Sequence, residues 1–210
     1  MTKSNKIKFA DKAAKIISIL FHPLFIPLYG MIIILSAPTL FGYLPASVKR
    51  ILLTIVGINN LIIPMLFLPY FKYRGIIKSW QMESKEERVL PLVITNLFYL
   101  VSLYIFWKFH LPFFIKSFVL AAAVVSTLVT IINFWWKISV HSVGAGSMVA
   151  LVIILSLSMH SPLILLLLGT ILIAGLVLSA RLWLNSHNQY EIWAGFFLGL
   201  FFTGMTLLFY

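Results

Sequence analysis

Residues 162–180 read "PLILLLLGTILIAGLVLSA". Not one charge interrupts the run. A helix on the surface of a soluble domain shows a polar face every turn, and a half-buried strand alternates. This stretch does neither. Its length and composition are those of a helix that crosses a bilayer, where about 20 apolar residues span about 30 Å of hydrocarbon. Six more segments of the same kind lie at about 16–37, 51–70, 90–107, 113–134, 142–159 and 191–210. The whole chain is 61% hydrophobic and only 10% charged, with a mean hydropathy of +1.05. A soluble domain of 210 residues lacks the polar surface to cover that much apolar material. In lipid, backbone hydrogen bonding leaves helices or closed barrels, and continuous runs select helices. The prediction is an all-α polytopic transmembrane helical bundle of about six or seven spans, one integral membrane domain over residues 1–210.

The charges sit at the ends of these segments. A formal net charge of +11 therefore reads as a topology signal and as contact with anionic membrane lipids. No basic domain is present, so a nucleic-acid role is set aside. With no cysteine, thiolate metal sites and cysteine nucleophiles are excluded. Five histidines and few carboxylates do not suit a membrane di-metal oxidase. The first apolar segment follows Lys3, Lys6, Lys8, Lys12 and Lys15. It is longer than the core of a signal peptide and contains Pro23 and Pro27, so it reads as a retained helix.

Span counting brings polar clusters together. Arg88 and Ser139 are separated by two spans, and so are His141 and Arg181. "SKEERVLP" (84–91), "KISVHSVGAG" (137–146) and "ARLWLNSHNQYE" (180–191) thus share one membrane face, and the N-terminus falls on it too. That face carries twelve Lys and Arg against four (Lys49, Arg50, Lys108, Lys116). Without Lys85, Arg88, Lys137 and Arg181 the ratio is eight to four, which places the face in the cytoplasm.

The converging set is Lys85, Arg88, Lys137, Ser139, His141, Arg181, His187 and Glu191. Clustered Arg and Lys suit a phosphate, which Arg grips through its planar fork. Hydrolysing a phosphate ester without a metal needs charge neutralisation, a nucleophile and an acid for the leaving oxygen. Two histidines can divide the last two roles. Glu191, four residues after His187, lies on the same helical face and can accept the Nδ1 proton. Ser139 and His141 open the fifth segment, where a helix N-terminus offers N–H groups to an anion. Gly144, Gly146 and Ser147 let another helix approach closely. No second carboxylate for a metal and no cofactor enters this chemistry.

These residues resemble the type 2 phosphatidic acid phosphatase superfamily, whose members include membrane lipid phosphatases and vanadium haloperoxidases. Its third motif, Ser-Arg, five residues, His, three residues, Asp, is similar to "ARLWLNSHNQYE", with Ala180 for Ser and Glu191 for Asp. Its second, Pro-Ser-Gly-His, resembles "ISVH" (138–141), with Val140 for Gly. Its first, Lys, six residues, Arg-Pro, is matched loosely by "SKEERVLP", where Pro91 stands three residues after Arg88. "FHPLFIPLYG" (21–30) and "MESKEERVLP" (82–91) are similar to a divergent small bacterial branch, which implies the bacterial inner membrane. The resemblance covers about 82–200. It implies a PAP2-like core, His187 as nucleophile forming a phosphohistidine, Glu191 orienting it and His141 as the acid. It also implies phosphate held by Arg181, Ser139 and Arg88, with Lys85 for the motif lysine. The implied substrate is a lipid phosphate such as phosphatidic acid or undecaprenyl diphosphate. Members usually carry three spans before the first motif and an extracytoplasmic site; here two spans precede it and the charge bias points inward.

A second reading keeps the cluster without catalysis: a transporter or binder of an anionic lipid. Lys137 reads as interfacial, as do His22, His110 and His160 near segment ends. Asn59 and Asn60, in mid-span, suit interhelical hydrogen bonds. Trp135, Trp136, Trp183 and Trp193 suit an interfacial aromatic belt.

Overall fold

A computed structural model describes residues 3–80, 82 and 84–210. Glu83, within "MESKEERVLP" (82–91), and the side chains of Lys3 and Lys6 lie outside the described residues. The described chain is helical, with no strand. Its helices are α1 (Lys3–Leu20), α2 (Ile26–Ser36), α3 (Ala46–Val56), α4 (Ile63–Tyr73), α5 (Lys85–Lys108), α6 (Phe113–Asn133), α7 (Val140–Ser158), α8 (Ile164–Trp183) and α9 (Gln189–Phe209). They make seven segments long and apolar enough to cross a membrane, the first from α1 and α2 and the second from α3 and α4.

Both composite spans are broken where proline dictates. The sequence predicts one helix over 16–37; instead the chain opens at His22, whose ψ of 139° is the extended conformation imposed by Pro23. A 3₁₀ turn at Pro23–Phe25 then leads into α2. In the second span, Pro64 cannot donate to the carbonyl four residues back. A π-helical turn at Gly57–Ile62 takes up the defect. Asn60, buried in that turn, accepts a hydrogen bond from Ser102 on α5, the interhelical role its position suggested. The third span starts five residues before its predicted boundary, because Ser84 caps α5 by accepting from the Glu87 N–H. That extension turns Arg88 into a residue of α5, buried against its neighbours.

α7 is the central helix, with the largest buried share of any span. α9 lies against it at glycine contacts. A Cβ on Gly146 would strike the Phe196 carbonyl, and one on Gly199 the Val143 carbonyl. Gly144 faces Ile26 of α2 instead. α8 packs on another side of α7, α5 pairs with α6, and α1 lies along α8. Leu165 (82% exposed) and Leu172 (70%) point outward, as lipid-facing side chains do.

The two halves of the bundle differ. Away from the polar clusters, Met31, Ile34, Leu35, Phe106, Ile115, Leu151 and Leu155 form a closed core. Toward them, the helices part around a cavity of about 640 Å³. Phe118 and Met148 belong both to the core and to the cavity wall. The cavity wall and the core are therefore contiguous at these two residues.

Candidate active site

α8 ends in a reversal that sets the spacing of the third cluster. Ser186 N–H donates to the Arg181 carbonyl (3.3 Å) and Asn185 N–H to Leu182 (3.0 Å). Asn185 holds the left-handed conformation, φ 48°. This is a Schellman close, and asparagine tolerates its central position. It folds residue 187 back beside Arg181. The chain then enters α9 through Asn188, whose Oδ1 accepts the Glu191 N–H at 2.9 Å. Asn188 Nδ2 in turn donates to Glu191 Oε1 at 3.0 Å. This reciprocal cap fixes the carboxylate. Its other oxygen, Oε2, meets His187 Nδ1 at 2.6 Å.

The His187 side chain is only 1% exposed, yet it lines the cavity. Burial pushes the imidazole down from its ordinary value to about 3, and the charges of Arg88, Arg181 and Lys137 act in the same direction. The hydrogen-bonded Lys137 backbone carbonyl opposes them. The ring is therefore neutral at pH 7; in the tautomer with its proton on Nδ1, the Glu191 carboxylate accepts that proton and Nε2 keeps its lone pair.

That depression has a stability consequence. The unfolded histidine takes a proton near pH 6.5 and the folded one does not. The contribution of this group is complete above 6.5 and is lost as the pH falls from 6.5 toward 3. Melting temperatures in detergent are expected to drop more steeply below pH 6.5 for wild type than for His187→Gln. Parallel slopes would refute the assignment.

The second cluster is pinned to the third. Ser139 N–H donates to the Glu191 carbonyl at 3.2 Å. The Ser139 side chain is fully buried and caps α7, with its Oγ taking the Ser142 hydroxyl at 2.9 Å. It does not line the cavity. The expectation that it grips phosphate meets a stronger local demand, since serine is a preferred N-cap. His141, on the first turn of α7, does line the cavity. Its Nε2 lies 3.1 Å from the Ser18 carbonyl of α1. A carbonyl only accepts, so that nitrogen carries the proton.

Arg88 reaches the same space from α5, its Nε donating to the Met82 carbonyl at 2.9 Å and Nη1 contacting the Ile138 carbonyl at 3.5 Å. Arg181 donates from Nη1 to Ser18 Oγ (3.4 Å). Its Nε–H is buried with no acceptor among the described residues. Lys85 goes elsewhere: its Nζ donates to the Phe134 carbonyl at 3.4 Å, stapling α5 to α6, and it does not line the cavity.

One cavity thus joins Arg88, His141, Arg181 and His187. From that polar end a mostly apolar lining, with hydroxyls at Thr95, Ser126 and Ser147, continues to Tyr99, Phe118 and Thr203. Arg88 and Tyr99 are eleven residues apart on α5, about 16 Å along the axis. One leaflet of hydrocarbon is about 15 Å thick, half of the full core. Among the described residues, no group of three or more His, Asp or Glu comes together to hold a metal ion.

Sequence reasoning missed four participants. Asn188 was legible as the start of an Asn-x-x-Glu cap. Ser18 and the Lys137 carbonyl carried no signal, because a backbone oxygen has none. His22 read as an interfacial residue, yet it lines the cavity, its ring edge-on to His141 with centroids 5.5 Å apart. Comparison with known proteins finds no family model, no curated protein and no solved structure that matches this chain.

Proposed function

We propose that the protein is an integral membrane lipid phosphatase, acting on a lipid phosphate monoester or diphosphate through a phosphohistidine at His187. The observation that carries this reading is the amphiphilic cavity: cations and three histidines at one end, a leaflet-deep, mostly apolar lining beyond. An anionic head group with a hydrocarbon tail has that shape. Arg88 and Arg181 neutralise the phosphate, and the Arg181 Nε–H, which has no acceptor among the described residues, is suited to a phosphoryl oxygen.

His187 Nε2 attacks phosphorus; a P–N bond forms as the bond to the lipid oxygen breaks. Glu191 takes up the positive charge that develops on the ring by holding Nδ1–H. His141 keeps Nε2–H on the Ser18 carbonyl, takes up a second proton at Nδ1 as the phosphate anion enters beside it, and gives that proton to the departing oxygen. Water then attacks the phosphohistidine, its proton passes to His141 Nδ1, and phosphate leaves. This is the division of labour implied by the family resemblance.

What favours this reading over a passive lipid binder is the His187 Nδ1 contact with the Glu191 carboxylate at 2.6 Å inside the cavity wall, a pairing that binding alone does not require. The twelve-to-four basic bias supports a cytoplasmic mouth in a bacterial inner membrane. The test is a screen of purified protein in detergent against lipid mono- and diphosphates. Release of phosphate from at least one is expected; saturable binding with no release across the panel would replace this function with lipid binding. In sealed membranes, Ser186→Cys, the sole cysteine, is expected to react only with a reagent admitted to the cytoplasmic side, and labelling from outside would reverse the orientation.

A further inference from the structure

His22 stands where α1 breaks, and the break gives it a defined chemical state. Its Nδ1 accepts the Leu24 N–H at 3.4 Å, capping the 3₁₀ turn. In the neutral ring the proton is therefore on Nε2, the nitrogen farther from the backbone. Pro23 holds the residue extended. One turn earlier on α1, Ser18 binds both His141 through its carbonyl and Arg181 through its hydroxyl. The last turn of α1 thus faces the two residues that the phosphatase reading places on the substrate. His22 packs edge-on against one of them and lines the same cavity as both.

We propose that His22 is a further substrate-binding residue of this site, donating from Nε2–H to a phosphoryl oxygen of the lipid phosphate in the cavity. This rests on the phosphatase reading and adds to it. A neutral imidazole with a fixed tautomer is a hydrogen-bond donor to an anion without adding a further buried positive charge to those of Arg88, Arg181 and protonated His141. The N-terminal helix then has a part in the site. α1 supplies one wall of the phosphate cradle, which the motif-bearing region 82–200 does not complete by itself.

Two variants separate this role from simple capping. His22→Asn keeps an acceptor near the Nδ1 position for the Leu24 N–H and removes the distal donor. His22→Gln keeps a distal N–H donor and gives up the cap. Binding of dodecyl phosphate in detergent, measured by calorimetry, and kcat/KM on the best substrate of the panel are the readouts. His22→Asn is expected to lose about 10- to 100-fold in both, the size of one hydrogen bond to a charged group, with His22→Gln retaining most of the wild-type value. Wild-type behaviour in the Asn variant, or equal losses in two variants that fold with wild-type melting temperatures, would overturn the proposal. A wild-type protein that neither binds dodecyl phosphate nor releases phosphate from any lipid overturns the phosphatase reading itself. That failure appears before any variant is made, so the two are distinguishable.

Discussion

His187→Ala is expected to bring phosphate release down to the detergent blank, a loss of at least about 10⁴-fold in kcat, as for removal of a nucleophile from a cooperating set. Hydroxyls also line the cavity, among them Ser18, Ser147, Ser186 and Thr203. None of the side-chain bonds seen for them is to an activating base. The Ser147 hydroxyl donates to the Gly199 carbonyl and accepts from Thr203. Among the described residues, only His187 joins a carboxylate at 2.6 Å to a place in the cavity wall shared with Arg88 and Arg181. Arg88 and Arg181 remain in the variant, so lipid-phosphate binding is expected to survive while turnover does not. A second readout follows the covalent step. Wild type mixed briefly with labelled substrate and quenched in alkaline denaturant, where a P–N bond persists, is expected to carry label on the protein. The variant is expected to carry none. Turnover above the blank in the variant, or label retained on it, would remove His187 as the nucleophile.

The bundle was legible because the membrane imposes one rule on sequence: a continuous apolar run of spanning length. Residues 162–180 obey it, and so do the other six. Boundaries shifted where a local cap or a proline outweighed hydropathy, as at Ser84 and Pro23. The third cluster was legible for a reason of the same kind. The spacing from Arg181 to His187 to Glu191 is a helix close followed by a helix cap, both short-range events. What resisted reading was long-range. His22 is distant from His141 in sequence, and a histidine at the end of an apolar segment looks the same whether it faces head groups or a cavity. Ser139 shows the converse: a residue expected at the ligand is held by its own helix, whose cap it forms. Lys85 shows another: it is close to Arg88 in sequence, but its flexible stem carries the ammonium to the end of α6.

Glu191→Gln is expected to lower kcat by about 10³- to 10⁴-fold with little change in melting temperature, as for a triad aspartate changed to asparagine. The magnitude follows from Asn188. Its Nδ2 donates to one carboxylate oxygen at 3.0 Å while the other holds His187 at 2.6 Å. A glutamine in that place must keep its carbonyl oxygen toward Asn188, because two NH₂ groups cannot face each other across 3.0 Å. Its own NH₂ then points at His187 Nδ1, which becomes an acceptor. The ring proton moves to Nε2, and the lone pair that would attack phosphorus is gone. The same argument gives a rescue. Asn188→Asp retains an Oδ1 to cap α9 and offers a second acceptor to the glutamine NH₂. In Asn188→Asp/Glu191→Gln the amide therefore turns over and its carbonyl oxygen takes Nδ1–H, restoring the nucleophilic tautomer. The double variant is expected to recover at least about tenfold over Glu191→Gln, a coupling of the size contacting residues show. A purely packing role for Glu191 makes the two changes additive, and a double variant no faster than the single would show it.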